Sequence, residues 1–479
     1  VKSRTAESGF DLVVVGTGFA STFFLKRYLE RSPQTARVLV LERGERRTHA
    51  WRVEHRNHLR EESDATFVNA TPEKPWWFTV AFGGGSNCWW GCTPRFLPSD
   101  FRMRSLYGVG RDWPVSYDEL EGYYCDAEEI MSIAGPSEAS PFRRSRPYPL
   151  PPHRLSVPDQ VLQKAYPTSF FAQPTARPSL PTREGRPRCC GNGVCDVCPI
   201  DSKFTIINSL MDVYEDPRVT LRTGAQVLAF ETSAGNVTAA VYRQEGTESR
   251  ATGELFALGA NALFNAHLLL RSGDQSPHLG KGLNEQMAWE LNVELAGMAG
   301  FQGSTSVTGH AYPFYDGPHR RDRAAILVET WNTPQVLRTE RGKWRHRLRI
   351  KCVAEVLPDD HSNVSVSKDD PDRPVVHSAE PGSYTHRAFE ALPAALEKWL
   401  APLPVERLDT SMPYGKTEAH LLGTTVMGRD PKNSVVDRNL RHHRMRNLLV
   451  LGGSVFPTST PSNPTLTLCA LALRAADQL

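Results

Sequence analysis

No apolar run in the 479-residue chain approaches the ~18 consecutive residues needed to span a bilayer, so no membrane span is expected. The first residues, VKSRTAESGFDLVVVG, lack the apolar core and small-residue cleavage site of a secretory leader, and the expectation they set is a cytoplasmic protein. An excess of one charge is missing too. The 56 Lys and Arg stand against 53 Asp and Glu, a net +3 with no long basic tract, which argues against nucleic acid as an obligatory partner. The basic pieces HRRDR (319–323) and RHHRMR (441–446) read as solvated surface or loop. Cysteine is sparse, nine residues in all, and an odd count in a reducing compartment argues against a disulfide framework. No internal repeat is visible.

The length exceeds what one hydrophobic core usually serves, so two structural units are expected. The clearest local signal comes first. DLVVV (11–15) is a continuous apolar, β-branched run; GTGFAS follows; then Phe19, Phe23, Phe24, Leu25, Tyr28 and Leu29 fall on one side of a helical pattern; RVLVLE (37–42) ends the unit as a second strand. This is strand, glycine turn, helix, strand. Twelve of the 36 prolines fall between Pro136 and Pro187, which predicts a long irregular surface connection. Beyond it, 218–231 and 236–244 read as hairpin strands, and 253–273 as a strand, a Gly-Ala turn and an apolar helix. Residues 285–415 alternate strand-like pieces (RLRIKCVAEVL, SNVSVS, RPVVHS) with a helix around 387–400, and NLLVLGGSVFP then leads into a final helix.

Gly16, Gly18 and Ser21 form a GxGxxS turn. The first glycine allows the tight bend, the second lets backbone approach a pyrophosphate, and the third position needs only a small residue where helix packs on strand. The free amides of the helix start would face the phosphates. Glu42, 21 residues after Ser21, stands where an acid accepts hydrogen bonds from the adenosine ribose. An ordinary tight turn is the plain alternative, and the motif alone does not separate NAD from FAD.

Two further stretches do. FGGGSNCWWGCTPRFLPSDF (82–101) resembles the first signature of the glucose-methanol-choline (GMC) family of FAD-dependent oxidoreductases, and HLLGTTVMG (420–428), SVVD (434–437) and the segment 447–479 resemble its second. The motifs are closest to those of the family's pyranose oxidases and its gluconate and sugar dehydrogenases. The resemblance implies an α/β fold: a Rossmann-like FAD-binding domain of discontinuous segments (1–115, 200–284 and 416–479), an inserted sheet-plus-helix substrate domain (285–415), and a proline-rich connection or lid carrying a cysteine cluster (116–199). It also implies the cofactor contacts. These are Gly16, Gly18, Phe19, Ala20, Ser21 and Glu42 in the first unit, Gly84, Gly85, Asn87 and Cys88 in the first signature, Val227 and Gly259 in the middle, and Gly453, Ser454, Pro464 and Thr465 near the end. The physical reading agrees, because Gly83, Gly84 and Gly85 lack the Cβ atoms that would collide with a flat ring or a phosphate. Some members bind FAD covalently through a histidine; Cys88 stands at that position here, so dissociable FAD is expected.

The family's catalytic pair maps onto His420 and Asn463. Oxidising an alcohol removes a hydroxyl proton and a hydride from one carbon; the hydride goes to flavin N5 and the proton needs a base, a task that suits imidazole. Asn463 would hold the substrate oxygen. Followed by Pro464, it is equally an ordinary helix cap. The resemblance implies oxidation of an alcohol on a sugar, amino sugar or polyol, with the electron acceptor open; a flavoprotein lyase and a non-catalytic flavin electron-transfer subunit are the alternatives. His310, Tyr312 and Tyr315, in STSVTGHAYPFYDG (304–317), would line a sugar site or simply pack.

Four of the nine cysteines, Cys189, Cys190, Cys195 and Cys198, follow CCx4Cx2CP. Clustered thiolates before a proline suit iron and sulfur, and Cx2C spacing also suits zinc. Sugar and gluconate dehydrogenases of the family carry a similar segment that binds an iron–sulfur cluster, with a final spacing one residue longer. The expectation is an iron–sulfur cluster, against zinc or a remnant with free or disulfide-bonded thiols.

Overall fold

The computed structural model describes residues 5–55, 61–300, 302–333 and 340–479, so Val1–Arg4 of the N-terminal stretch lie outside it. The first unit forms as its pattern requires: β1 (Thr5–Val15), α1 (Phe19–Arg31) and β2 (Val38–Leu41). β1 and β2 pair in parallel, with Leu12 opposite Val38 and Val15 opposite Leu41, and β2 and the Leu12–Val15 part of β1 are buried on both faces. Two-sided burial is why these strands read as unbroken apolar runs rather than alternating ones. α1 sets Phe23, Phe24, Leu25 and Leu29 into the core.

The sheet around them runs, in spatial order, Val219–Arg222, β2, β1, Thr247–Leu258, Asn236–Gln244, Gln226–Ser233. Thr247–Leu258 is long enough to serve two partners besides β1. Its first half pairs antiparallel with Asn236–Gln244, and its end pairs in parallel with Leu448–Val450, from the far end of the chain. One hydrophobic core thus contains residues from both termini, with the C-terminal helix Thr465–Asp477 packed against α1.

A second, antiparallel sheet has its own core. Its order is Val405–Asp409, Met287–Leu295, Arg347–Ala354, Ile326–Trp331, Val307–Ala311, Phe170–Ala172, and the helix Ser383–Trp399 covers it through Tyr384, Phe389, Leu392 and Trp399. Two details differ from the sequence expectation. Asn363–Val366 and Pro374–His377, inside 285–415, pair with each other and with Val68–Asn69, and bury Val364 and Val376 in the first core. The stretch 116–199 is not wholly irregular. It opens with the helix Tyr117–Met131, capped by Ser116 and Glu119, which packs on the C-terminal helix, and it later supplies Val157–Ala165 and the edge strand Phe170–Ala172 to the second sheet. Its prolines confine irregular backbone to 136–155 and 173–200.

HRRDR also departs from expectation. Arg320 is fully buried and paired with Asp100 at 3.0 Å and Glu355 at 2.6 Å, so this arginine ties the first signature to the second sheet. RHHRMR is a loop, with His442 buried against Asp274 at 2.9 Å.

Candidate active site

The βα turn builds one wall of a cavity of about 630 Å³. Gly16 adopts φ +91°, and a Cβ there would lie 2.6 Å from the Gly259 carbonyl oxygen. Gly18 precedes α1 with no side chain capping the helix, and the space where its Cβ would stand is open; the same holds at Gly85. Gly84 lies against Gly18 so closely that a Cβ would be 3.2 Å from the Gly18 Cα. The two glycine motifs therefore pack backbone on backbone. Thr17 ties the corner together: its hydroxyl accepts from the Gly83 amide at 2.9 Å and donates to Glu42 at 2.6 Å, while its own amide donates to Glu42 at 2.9 Å. Burial raises the Glu42 pKa, opposed by these hydrogen bonds and one from the Gly44 amide.

Gly16, Gly18, Phe19, Ala20 and Glu42 line this cavity, as do Gly84, Gly85 and Cys88. Val227, Gly259, Gly453, Pro464 and Thr465 join them, and so do His420 and Asn463. Three named positions do not reach it. Ser21 is fully buried beside the Val15 and Gly259 carbonyls, where it closes the helix onto the sheet. Asn87 donates to the Phe82 and Gly84 carbonyls and so shapes the glycine turn from behind. Ser454 accepts from Asn265 and Thr425 beneath Gly453. All three support the lining instead of forming it.

His420 keeps part of its ring open to the cavity. Its Nδ1 faces the Gln286 Oε1 at 2.9 Å, and the Gln286 amide nitrogen donates to the Thr460 and Ser462 carbonyls, which fixes the amide orientation. The hydrogen therefore sits on Nδ1, and Nε2 carries the free lone pair. Burial, with Lys351 nearby, pushes the His420 pKa down to about 3, so the ring is neutral. Glu285 holds the segment in place by accepting from Thr417 Oγ1, the Glu418 amide and the His420 amide. Ala419, just before the histidine, sits at φ +59°, a conformation that costs a non-glycine residue ~1 kcal/mol or more.

Asn463 does not cap the last helix. Pro464 takes the cap position, without a side-chain hydrogen bond, and the buried Oδ1 of Asn463 has no partner. The capping explanation thus fails, and a polar atom is left free at the cavity wall.

Sequence reasoning missed the wall supplied by the second sheet, Glu329, Trp331 and Lys351, together with Trp90, Glu418 and the orienting pair Glu285 and Gln286. These strand positions belong to no motif. The segment 304–317, by contrast, packs, its first part as the strand Val307–Ala311: His310 and Tyr315 are fully buried, Tyr315 donates to Asp100 at 2.9 Å, and neither it nor Tyr312 lines the cavity.

The cysteine segment also differs from expectation. Cys189 and Cys195 are buried against Thr305 and Ser306, Cys190 is exposed, and Cys198 accepts from the Ser202 amide. Adjacent residues Cys189 and Cys190 face different surroundings, so the four thiols do not converge. Among the described residues no three His, Cys, Asp or Glu side chains are grouped to hold a metal, and the iron–sulfur ligand set is not formed.

A family model described as GMC oxidoreductase matches residues 358–472. The fructose dehydrogenase large subunit of Gluconobacter japonicus is 28% identical, covering 98% of this chain and 97% of that protein. The 6'''-hydroxyparomomycin C oxidase of Streptomyces lividus is 27% identical, over 98% and 91%. The chain thus resembles GMC oxidoreductases over nearly its whole length. Pyridoxine 4-oxidase from Mesorbium loti shares the fold at a TM-score of 0.70 and 19% identity, over 98% of this chain and 99% of that one. GMC oxidoreductases are FAD-dependent alcohol oxidoreductases, and the cavity of this chain fits that cofactor: open space at Gly18 and Gly85, uncapped amides at the start of α1, and an unpartnered Asn463 Oδ1. No helix among the described residues is long and apolar enough to cross a membrane.

Proposed function

We propose that the protein oxidises an alcohol group of a sugar, amino sugar or polyol, acting as a dehydrogenase or oxidase, with His420 as base and Asn463 as substrate anchor. Bound FAD supplies the hydride acceptor, flavin N5. The observation that carries the reading is the fixed tautomer of His420: Gln286 takes the Nδ1 hydrogen, leaving Nε2 to accept the hydroxyl proton. A ring held neutral by burial is ready to do so without first losing a proton. Asn463 offers its amide to the substrate oxygen, and its free Oδ1 accepts a neighbouring hydroxyl. Gly16, Gly18, Phe19, Ala20 and Glu42 would hold the adenosine diphosphate half; Gly84, Gly85, Gly453, Pro464 and Thr465 would hold the flavin half. With Cys88 in place of the histidine through which some GMC members tether FAD, the cofactor would be dissociable.

Relatives named for fructose and for hydroxyparomomycin support the substrate class. The test is anaerobic mixing of the FAD-loaded protein with a panel of sugars, amino sugars and polyols. Bleaching of the flavin by at least one of them, slowed about 10²- to 10⁴-fold in His420→Asn, is the expected result. No bleaching by any, or an unslowed variant, overturns the reading.

A further inference from the structure

The segment 417–420, which carries His420, is irregular backbone with Ala419 in the left-handed region, so its place is set by the side chains that hold it. Two buried carboxylates do so. Glu285 accepts from the Glu418 and His420 amides and pairs through its other oxygen with Lys74. The second tie uses a side chain of the segment itself: Glu418, two residues before the base, accepts from Lys351 Nζ at 2.5 Å. Lys351 belongs to Arg347–Ala354, an inner strand of the second sheet, so this ion pair fastens the base to that sheet.

The same ammonium also shapes the charge around the ring. Lys351 lines the cavity with His420, Glu329 and Glu418, and stands opposite Glu329 on one neighbouring strand and Glu290 on the other. Glu329 pairs with His310 at 3.4 Å and Glu290 with Arg349 at 2.5 Å, which leaves Glu418 as the partner of Lys351. The charged groups about the imidazole are therefore Lys351 and Glu329 from the second sheet, Glu418 from its own segment, and Glu285 with Lys74 behind its backbone. Gln286, at Nδ1, is neutral. Burial is the largest cause of the low His420 pKa; Lys351 adds to it and Glu329 opposes it. We propose that Lys351 is a positioning residue for the base: through Glu418 it fixes where His420 stands, and its ammonium supplies the positive charge that faces the imidazole. The proposal rests on the role of His420 given above.

The test compares FAD-loaded wild type, Lys351→Met and Glu418→Gln in anaerobic flavin reduction by the best alcohol of the panel. Nitrogen NMR of isotope-labelled histidine follows the ring directly, the His420 signals being those missing from His420→Asn. Lys351→Met should bind FAD as wild type does and fall about 10- to 100-fold in kcat with a smaller change in KM, the cost of a base displaced by ~1 Å. Exchanging a facing cation for uncompensated carboxylates raises the pH at which an imidazole takes its proton by ~1–3. Its kcat/KM should therefore drop at least about twofold from pH 7 to pH 5, with His420 protonating in the same interval, where wild type stays flat and neutral. Glu418→Gln breaks the ion pair but keeps the cation, so it should lower kcat while its pH profile remains flat. A Lys351→Met with the wild-type profile and a ring still neutral at pH 5 overturns the proposal, and so does a loss confined to KM. Should Lys351→Met not fold, Lys351→Met combined with Glu418→Leu removes both buried charges, leaves Glu329 facing the ring, and must show the same acid limb. Bleaching of wild type by no alcohol overturns the alcohol-oxidising role, and the NMR titration then still decides whether Lys351 sets the charge state of His420.

Discussion

Two glycines separate backbone need from ligand need. At Gly16 a side chain meets the Gly259 carbonyl in a left-handed backbone, so Gly16→Ala is expected to lower stability by more than ~1 kcal/mol, read from urea unfolding. At Gly18 a Cβ meets no protein atom and φ is −72°, so Gly18→Ala should cost only a few tenths of a kcal/mol to ~1 kcal/mol, the difference between these residues as helix caps. Under the proposed function the open space belongs to the cofactor, however, and Gly18→Ala should weaken FAD binding at least tenfold. A variant as stable as wild type that binds FAD normally would remove the pyrophosphate from this turn. His420 carries a second residue-scale prediction. Its pKa of about 3 means that the base is unprotonated across the useful range. The kcat/KM for flavin reduction should therefore show no loss as pH falls from 8 to 5, whereas a histidine with its ordinary value near ~6.5 would lose activity across that interval.

At the scale of elements, the Gln286 side chain joins two of them, the His420 segment and the Thr460–Ser462 turn. Gln286→Leu should leave FAD absorbance intact and lower kcat more than it raises KM, because the base loses the partner that fixes its tautomer; a pure KM effect would contradict that role. Glycine punctuation and apolar runs made β1, α1, β2 and the C-terminal helix legible in the sequence, since each is buried in its own characteristic period. The same signals located the glycine turn, whereas His420 and Asn463 came only from the resemblance of their segments to the family's second signature. Glu329 and Lys351 were illegible for a physical reason, since a residue on a strand reaches a cavity through sheet pairing that no local spacing encodes, and Glu285 and Gln286 act from the irregular stretch just before Met287–Leu295 through contacts distant in sequence. Ser21, Asn87 and Ser454 were read one layer too close to the cofactor, because a small or polar residue beside a glycine looks the same whether it faces a ligand or supports the backbone that does. The cysteines misled for a similar reason, since spacing does not report which way each thiol points. Asn463 was ambiguous as Asn-Pro, and only the cap taken by Pro464 resolved it.

At the scale of the whole molecule, buried charge ties the first signature to the second sheet. Arg320 links Asp100 to Glu355, and Tyr384 adds a hydrogen bond to Glu355 at 2.9 Å. Arg320→Met leaves two buried carboxylates without their cation, and a loss of ~3–5 kcal/mol in unfolding free energy is expected. The pH dependence of stability has a definite sign. Burial pushes His420 down to about 3 and His153 and His267 down to about 4, so the unfolded chain binds protons that the folded chain refuses. Their contribution is full above pH ~6.5 and is lost as pH falls toward 4. Asp100, raised by burial to about 6, works the opposite way over part of that range. The urea midpoint should fall between pH 7 and 5, and less steeply in His153→Gln than in wild type. The largest claim is that both chain ends close around one FAD. Titration of the cofactor-free protein with FAD, followed by flavin absorbance and fluorescence, tests it directly. The account predicts saturation at one FAD per chain, released intact on denaturation; a protein that takes up no FAD, or holds it equally well as Gly18→Ala, contradicts it.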